Sequence, residues 1–201
     1  MPEQSANLVE QFDLAPAGYM TYWPAAALGL PADRIFARLR TNLDWQQQPV
    51  RLFGRSIPQP RMTAFHGDPG VVYRYSGLSL NACRWSDELD QLRHLVQECS
   101  GERFNSVLCN LYRDGRDYMG WHADDEPELG PDPVVASLSF GAHRRFLLKR
   151  RDGSGDRLEL ILESGSLLIM GGDLQRHWLH QLPRALRVRS ARINLTFRRI
   201  Y

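Results

Sequence analysis

The chain has 201 residues, of which 43% are hydrophobic and 24% charged, so it can form one globular domain with a substantial core, and we expect no second full domain. Its 25 basic and 23 acidic residues leave a net charge of +2, which provides no overall basic field for nucleic acid. No apolar run reaches the roughly 20 residues of a membrane span, and neither a signal-peptide pattern nor a metal-binding cysteine spacing is present. We therefore expect a cytoplasmic monomer with reduced thiols and no membrane partner.

The first half of the chain predicts a tail, two helices and a long connection. Residues 1–18 are polar and contain two prolines, which predicts a flexible tail, then one short strand, ahead of a single domain over residues 19–201. Residues 49–70 hold four prolines and little periodicity, which indicates a long ordered loop or hairpin. Apolar residues at helical spacing predict one helix from Pro31 to Leu43 and a second over residues 87–99.

From residue 105 onward the pattern changes to short strands separated by glycines. Eight strands are predicted, over residues 105–112, 118–123, 134–140, 144–150, 157–163, 166–170, 176–181 and 188–198. Together with the preceding helices they predict an α+β, mainly β fold. We expect a jelly roll, or double-stranded β-helix, over residues 105–201, with the N-terminal helices packed on one sheet. Such barrels enclose a ligand cavity between their sheets.

Three residues in this strand region have the chemistry of a metal site. His122 and Asp124 are two residues apart, so on a strand both side chains point to one face, and His180 lies 56 positions further on. Two imidazoles and one carboxylate form the facial triad of non-haem Fe(II) oxygenases, which leaves coordination positions open. A zinc hydrolase can use the same donors. His177 competes with His180 for the third position, but along a strand it would face the opposite way.

Arginines near the end of the chain favour iron over zinc. An oxygenase that uses a dicarboxylate cosubstrate needs fixed cations, and arginine binds carboxylates bidentately without losing its charge. Arg192 and Arg198 alternate with Ile193, Leu195 and Phe197 in one predicted strand. The alternation leaves two registers open: either the arginines face the cavity, or they face solvent and the apolar residues fill the core.

Seven motifs in order resemble the AlkB family of Fe(II)- and 2-oxoglutarate-dependent dealkylases, and within it the branch that repairs alkylated DNA. They cover roughly residues 50–200 and are listed here in chain order: Pro60-Arg61 with Phe65-His66-Gly67-Asp68, Tyr73-Arg74-Tyr75-Ser76-Gly77, Asn110-Leu111-Tyr112-Arg113-Asp114-Gly115, His122-Ala123-Asp124-Asp125-Glu126, Ala136-Ser137-Leu138-Ser139-Phe140-Gly141, His177 to Pro183, and Arg192 to Arg198. The last motif, with its Asn-Leu-Thr-Phe-Arg core, is highly specific. The first 50 residues match no motif of the family.

The resemblance implies a complete set of cofactor contacts. It implies that Fe(II) is bound by His122, Asp124 and His180. The residues implied to hold 2-oxoglutarate are Asn110, Tyr112, Arg192, Thr196 and Arg198. The alternation of these residues on two strands is compatible with one shared pocket.

The resemblance also implies a nucleotide-recognition region over residues 49–77 and a substrate of alkylated DNA, single- or double-stranded, or RNA. The flipped base would stack between an aromatic ring and His122, and an acidic neighbour such as Asp125 or Glu126 would favour the cationic bases 1-methyladenine and 3-methylcytosine. Phe53 would insert into the gap in the duplex. The substrate residues implied are Phe53, Gly54, Arg55, Tyr73, Arg74, Tyr75 and Asp125. The implied reaction is oxidative demethylation that releases formaldehyde and converts 2-oxoglutarate and O2 to succinate and CO2.

The sequence leaves other interpretations of the function open. Basic residues cluster at 144–151 and 184–199, which suits either a polyanion or a solvated face. The same scaffold could oxidise RNA, a protein side chain or a small molecule. A non-catalytic nucleic-acid-binding jelly roll with a structural metal is the third possibility.

Overall fold

The computed structural model describes residues 9–52, 55–75 and 77–201. The helices are α1 (Ala25–Leu28), α2 (Ala32–Asn42), α3 (Asp87–Ser100) and α4 (Leu174–His177). The strands are β1 (Glu10–Leu14), β2 (Gly18–Trp23), β3 (Pro49–Leu52), β4 (Arg55–Pro58), β5 (Met62–Gly67), β6 (Val72–Tyr75), β7 (Leu78–Asn81), β8 (Ser106–Tyr112), β9 (Met119–His122), β10 (Val135–Gly141), β11 (Arg144–Arg150), β12 (Arg157–Leu162), β13 (Leu167–Gly171), β14 (Trp178–Leu182) and β15 (Arg192–Arg198). In these ranges no helix is both long enough and apolar enough to cross a bilayer.

Two antiparallel sheets form the body of the fold. The major sheet has the strand order β1-β2-β13-β10-β15-β8-β5, and the minor sheet has the order β12-β11-β14-β9. Their inner faces share a core, in which Leu168 and Met170 of the major sheet pack with Phe146 and Leu148 of the minor sheet. Two hairpins, β3-β4 and β6-β7, stand outside these sheets. This is the predicted mainly β jelly-roll architecture, and the prediction of the fold class is confirmed.

Helices cover the outer face of the major sheet, as the sequence predicts. The apolar faces of α2 and α3 contribute Ile35 and Leu39 and then Leu89 and Val96 to one buried cluster. Helix α3 begins at a Ser86 side chain that accepts a hydrogen bond from the backbone N–H of Leu89, a standard N-cap. The helices thereby leave the opposite face of the sheet free to line a cavity.

The structure shows which of the two registers left open by the sequence strand β15 adopts. Its odd-numbered residues Ile193, Leu195 and Phe197 are fully buried in the helix-packed cluster. Its even-numbered residues, from Arg192 to Arg198, line the cavity between the sheets. Both arginines therefore face inward, and the register in which they face solvent is wrong.

The N-terminal segment contains the short strand that the sequence predicts after the tail. Residues 10–14 form strand β1, which pairs with β2 along its whole length and so belongs to the major sheet rather than preceding the domain. Three of its five residues are exposed, while Phe12 and Leu14 alternate with them and pack against the core shared by the two sheets, so both backbone pairing and apolar contacts hold the strand. Residues 49–67, predicted as a loop or hairpin, form the hairpin β3-β4 and then strand β5.

Candidate metal centre and cosubstrate cavity

Strands β9 and β14 bring the three candidate metal ligands together. His122 ends β9 and pairs directly with His180 of β14, and Asp124 follows two residues after His122. One ligand atom from each residue lies within 4.8 Å of the others, and the two imidazole centroids are 4.2 Å apart. His177 lies outside this group, in α4, where its Nε2 is 3.5 Å from an Asp173 carboxylate oxygen. The arrangement places two imidazoles and one carboxylate around a single position.

The protonation states of these residues suit a divalent cation. His122 Nδ1 lies 2.8 Å from the carbonyl oxygen of Gly120, which can only accept, so Nδ1 carries the proton and the lone pair is on Nε2. Burial lowers the pKa of His122, and it lowers the pKa of His180 to about 3, so both rings are neutral at physiological pH. Burial alone would raise the pKa of Asp124, but Arg198 and the two histidines hold it well below its usual range. The donors are therefore two neutral imidazoles and one carboxylate, a set that fits Fe(II).

Two contacts from distant parts of the chain fix the Asp124 carboxylate. Oδ1 accepts a hydrogen bond of 2.6 Å from Arg198 Nη2, and Oδ2 lies 3.7 Å from His180 Nε2. The backbone N–H of Asp124 donates to the buried Gln175 Oε1 at 3.0 Å. One carboxylate oxygen is thus held by arginine while the other faces the histidine. No sequence pattern pointed to the contact of Gln175 with Asp124, because the two residues are 51 positions apart.

A cavity of about 170 Å³ between the two sheets joins the candidate metal ligands to the predicted cosubstrate residues. Register pairing places Arg192 opposite Tyr112 and Asn194 opposite Asn110 on strands β15 and β8. The five residues predicted to hold 2-oxoglutarate all line this cavity: Asn110, Tyr112, Arg192, Thr196 and Arg198. The structure therefore brings these side chains and the three candidate metal ligands into one cavity.

Arg192 has the properties of an anion receptor. It is 2% exposed, its Nη2 donates to Ser139 Oγ at 2.9 Å, and its Nε lacks a hydrogen-bond partner. The described part of the chain gives it no ion pair, and burial lowers its pKa to about 10. A buried guanidinium without a counter-charge is costly, and a carboxylate entering the cavity would offset that cost. This uncompensated cation fits a dicarboxylate cosubstrate such as 2-oxoglutarate.

Arg61 is a cavity residue whose role the sequence did not reveal. Its Nε donates to Asn110 Oδ1 at 2.8 Å, and its Nη1 lies 3.0 Å from Met119 Sδ. Because the guanidinium only donates, it fixes the orientation of the Asn110 amide and leaves the amide nitrogen directed elsewhere. The sequence contained Arg61 within a motif, but only the fold shows that it contacts the cavity.

A second buried guanidinium supports the cavity wall from behind. Arg144 and Arg192 both lie over the Tyr112 ring, with their Cζ atoms 5.9 Å and 5.4 Å from its centroid. Arg144 Nη2 donates to the carbonyl oxygens of Asp117 at 2.9 Å and Pro183 at 2.6 Å. It thereby ties the loop after β8 to the segment after β14. The sequence placed Arg144 in a basic cluster that suited either a polyanion or a solvated face, and neither interpretation holds for this residue because it is 2% exposed.

The predicted substrate residues divide into three groups. Tyr73 is 2% exposed and lines the cavity, where its hydroxyl bonds the Glu126 carboxylate and its ring lies 5.3 Å from the Arg198 Cζ. Arg74 is exposed, because it follows Tyr73 on the same strand and faces the other way. Phe53 and Gly54 lie outside the described residues, as do the side chains of Arg55 and Tyr75, whose backbones belong to β4 and β6.

Asp125 does not lie in the cavity, although the sequence predicted it beside the metal. It is exposed, and its Oδ2 accepts a hydrogen bond of 2.6 Å from Arg151. Glu126 lines the cavity instead. Burial, followed by the charge of Asp124, raises the pKa of Glu126 above its usual value. Of the two acidic neighbours predicted from the resemblance, the structure therefore places Glu126, and not Asp125, in the cavity.

The basic cluster at residues 144–151 is largely neutralised. Arg145 pairs with Glu159, Arg150 with Asp152 and Arg151 with Asp125, at distances of 2.6–2.7 Å. Surface ion pairs of this kind contribute little stability, but they cancel the local field. The cluster is therefore a weaker polyanion site than its sequence suggests.

Comparisons of this chain with a family model and with known proteins agree on one family. The model of the 2OG-Fe(II) oxygenase superfamily matches residues 23–198. Alpha-ketoglutarate-dependent dioxygenase alkB homolog 3 of Rattus norvegicus is 38% identical over 96% of this chain and 68% of its own length. DNA oxidative demethylase ALKBH2 of Mus musculus is 41% identical over 84% of this chain and 75% of its own length. The relative of the same name from Arabidopsis thaliana is 36% identical over 81% of this chain and 60% of its own length.

A solved structure supports the fold independently. OsALKBH1 superposes with a TM-score of 0.60 at 16% identity, covering 94% of this chain and 100% of that chain. At that identity the likeness shows the common jelly-roll architecture alone. The predicted resemblance to the AlkB family is confirmed by the sequence relatives.

Proposed function

The chain belongs to the 2OG-Fe(II) oxygenase superfamily, and from that premise we propose that it removes alkyl groups oxidatively from the bases of DNA. It is an Fe(II)- and 2-oxoglutarate-dependent dioxygenase. The proposed substrates are 1-methyladenine and 3-methylcytosine. Their repair would release formaldehyde and convert 2-oxoglutarate and O2 to succinate and CO2. Relatives named DNA oxidative demethylase support this choice.

Two groups of cavity residues would bind the metal and the cosubstrate. His122, Asp124 and His180 would hold iron, while Asn110, Tyr112, Arg192, Thr196 and Arg198 would hold 2-oxoglutarate. When bound there, iron and 2-oxoglutarate would supply, with dioxygen, the oxidising power to convert an N-methyl group to N-hydroxymethyl, which loses formaldehyde. The protein contributes placement, and the Arg198–Asp124 bond links the two cofactor sites directly.

The observation that carries the proposal is the wall formed by Tyr73 and Glu126, which line the same cavity as the candidate metal ligands. Tyr73 presents an aromatic ring inside the cavity, and Glu126 presents a carboxyl group. Methylation at N1 of adenine or N3 of cytosine creates a cation, which a carboxylate favours over the neutral base. Burial raises the pKa of Tyr73, so the phenol stays protonated and donates to Glu126. A flat cation beside an oxidising metal is the ligand that this wall fits.

The proposal is tested by assaying the purified protein with Fe(II), 2-oxoglutarate and an oligonucleotide that carries one 1-methyladenine or 3-methylcytosine. Single-stranded DNA, duplex DNA and RNA are compared, and formaldehyde and succinate are measured together. Formaldehyde released in equal amount to the base restored supports the proposal. If every substrate gave succinate but no formaldehyde, the protein would be a dioxygenase that acts on another target.

Glu126→Gln is expected to reduce turnover of the cationic bases by roughly ten-fold or more, because it removes the carboxylate charge from the cavity. Turnover of a neutral alkylated base such as 3-methylthymine should change much less. Asp125→Asn is the matched control, since Asp125 is exposed and paired with Arg151. The measurement is kcat/KM for both kinds of base with each variant. A larger effect from Asp125→Asn would restore Asp125 as the selective group.

A further inference from the structure

The edge of the minor sheet carries an exposed tryptophan directly beside a metal ligand. Strand β9 is the edge strand of that sheet, and Trp121 immediately precedes His122. Successive side chains on a strand point to opposite faces, so His122 faces the cavity and Trp121 faces outward. Trp121 is 37% exposed, and Gly120 beside it is also exposed, with open space where a Cβ would stand. This edge is therefore open to a ligand.

Lys149 adds a cation to this edge. Its Nζ lies 4.6 Å from the centroid of the Trp121 ring, which is a cation–π geometry. The ion pairs found among the described residues neutralise Arg145, Arg150 and Arg151 on the same strand and just beyond it, but none includes Lys149. The outward face at β9 thus combines one exposed aromatic ring with one positive charge that has no carboxylate partner among those residues.

A further observation is where Trp121 lies relative to the cavity. His122 and Trp121 leave the same edge strand in opposite directions, one toward the metal position and one toward solvent. A polymer that inserts one unit into the cavity past this edge brings its neighbouring unit toward Trp121. A partner that suits this pair is a chain of repeating units with a flat group and a negative charge in each repeat.

We propose that Trp121 and Lys149 form a stacking site for a nucleotide adjacent to the target base in a single strand. The indole stacks on the flanking base, and the ammonium group contacts its phosphate. Indole stacking tolerates any base, and a lysine beside the ring contributes a salt-dependent contact. The inference rests on the proposed nucleic-acid substrate and adds a second, non-catalytic contact outside the cavity.

The experiment compares binding of methylated substrates of increasing length by the full chain loaded with Mn(II) and 2-oxoglutarate. The probes are fluorescently labelled 1-methyladenosine monophosphate, a trinucleotide and a pentanucleotide, each with one 1-methyladenine. Trp121→Ala is expected to weaken binding of the trinucleotide and pentanucleotide by about ten-fold, while mononucleotide affinity stays within about two-fold. Trp121→Phe should restore most of the loss. Ile161→Ala is the matched control, because Ile161 is 47% exposed on the outer face of the same sheet.

A second variant tests the charge. Lys149→Gln should reduce the magnitude of the slope of log affinity against log salt concentration by about 0.7 for single strands. Equal trinucleotide affinity for wild type and Trp121→Ala would overturn the inference. An equal loss for mononucleotide and trinucleotide would also overturn it, because Trp121 would then act through His122. If the wild type binds these probes but releases no formaldehyde from them when Fe(II) and O2 replace Mn(II), the proposed function fails while the stacking site stands.

Discussion

Alanine at His122, Asp124 or His180 is expected to abolish turnover, because each substitution removes one of the three donors around a single position. Loss of a catalytic metal costs several kcal/mol of transition-state stabilisation, which corresponds to a decrease in rate on the order of 1000-fold or more. The measurements are succinate formation and Fe(II) or Co(II) binding to each purified variant. Metal affinity should fall together with activity.

The three variants should differ in stability. Asp124→Ala leaves the buried Arg198 without its carboxylate partner, and breaking a buried ion pair typically costs 3–5 kcal/mol. The two histidine variants remove neutral side chains and should unfold at higher temperature than Asp124→Ala. His177→Ala is the control, since His177 lies outside the ligand group, and it should keep substantial activity. An inactive His177→Ala beside an active His180→Ala would reassign the third ligand.

Arg192→Met is expected to raise the half-saturating concentration of 2-oxoglutarate by roughly 100-fold, because truncating one partner of a buried charged contact costs 2–5 kcal/mol. The same change should leave the cosubstrate-free protein as stable as the wild type, or more stable. The reason is that Arg192 is fully buried without an ion pair among the described residues, and methionine fills similar space without charge. Adding 2-oxoglutarate should raise the melting temperature of the wild type and not that of the variant.

Arg144→Met is the matched comparison for this prediction. Both arginines lie over the Tyr112 ring, but Arg144 donates to the carbonyl oxygens of Asp117 and Pro183. Removing it leaves buried acceptors without a donor, so Arg144→Met should lower stability whether or not cosubstrate is present. If Arg192→Met destabilised the cosubstrate-free protein as much as Arg144→Met does, Arg192 would be a structural residue rather than an anion receptor.

The strand pattern and the residues that alternate on it were predictable from the sequence. Period-2 spacing placed β8 and β15 within a few residues, and the family motif chose the correct one of two registers for Arg192 and Arg198. The alternation alone could not make that choice. An inward register and an outward register differ by one residue, and only the packing of Phe197 against the helices separates them.

Contacts between distant segments could not be predicted. Gln175 reaches Asp124 from a helix of four residues, and Arg61 reaches Asn110 from the position just before strand β5. No local pattern marks either pair. That Glu126 rather than Asp125 lines the cavity has a different cause. Strand β9 ends at His122, so strand alternation does not predict where the side chains that follow it point.

The central place of strand β15 has a consequence for biosynthesis. Strands β8 and β10 are not hydrogen-bonded to each other, because residues 192–198 lie between them. Until that segment leaves the ribosome, the major sheet consists of two separate parts, each with an unpaired edge. The nascent chain therefore exposes apolar strands that no local contact can cover, and the fold closes in one late, long-range step. A newly synthesised chain should depend on chaperones more strongly than its modest size suggests.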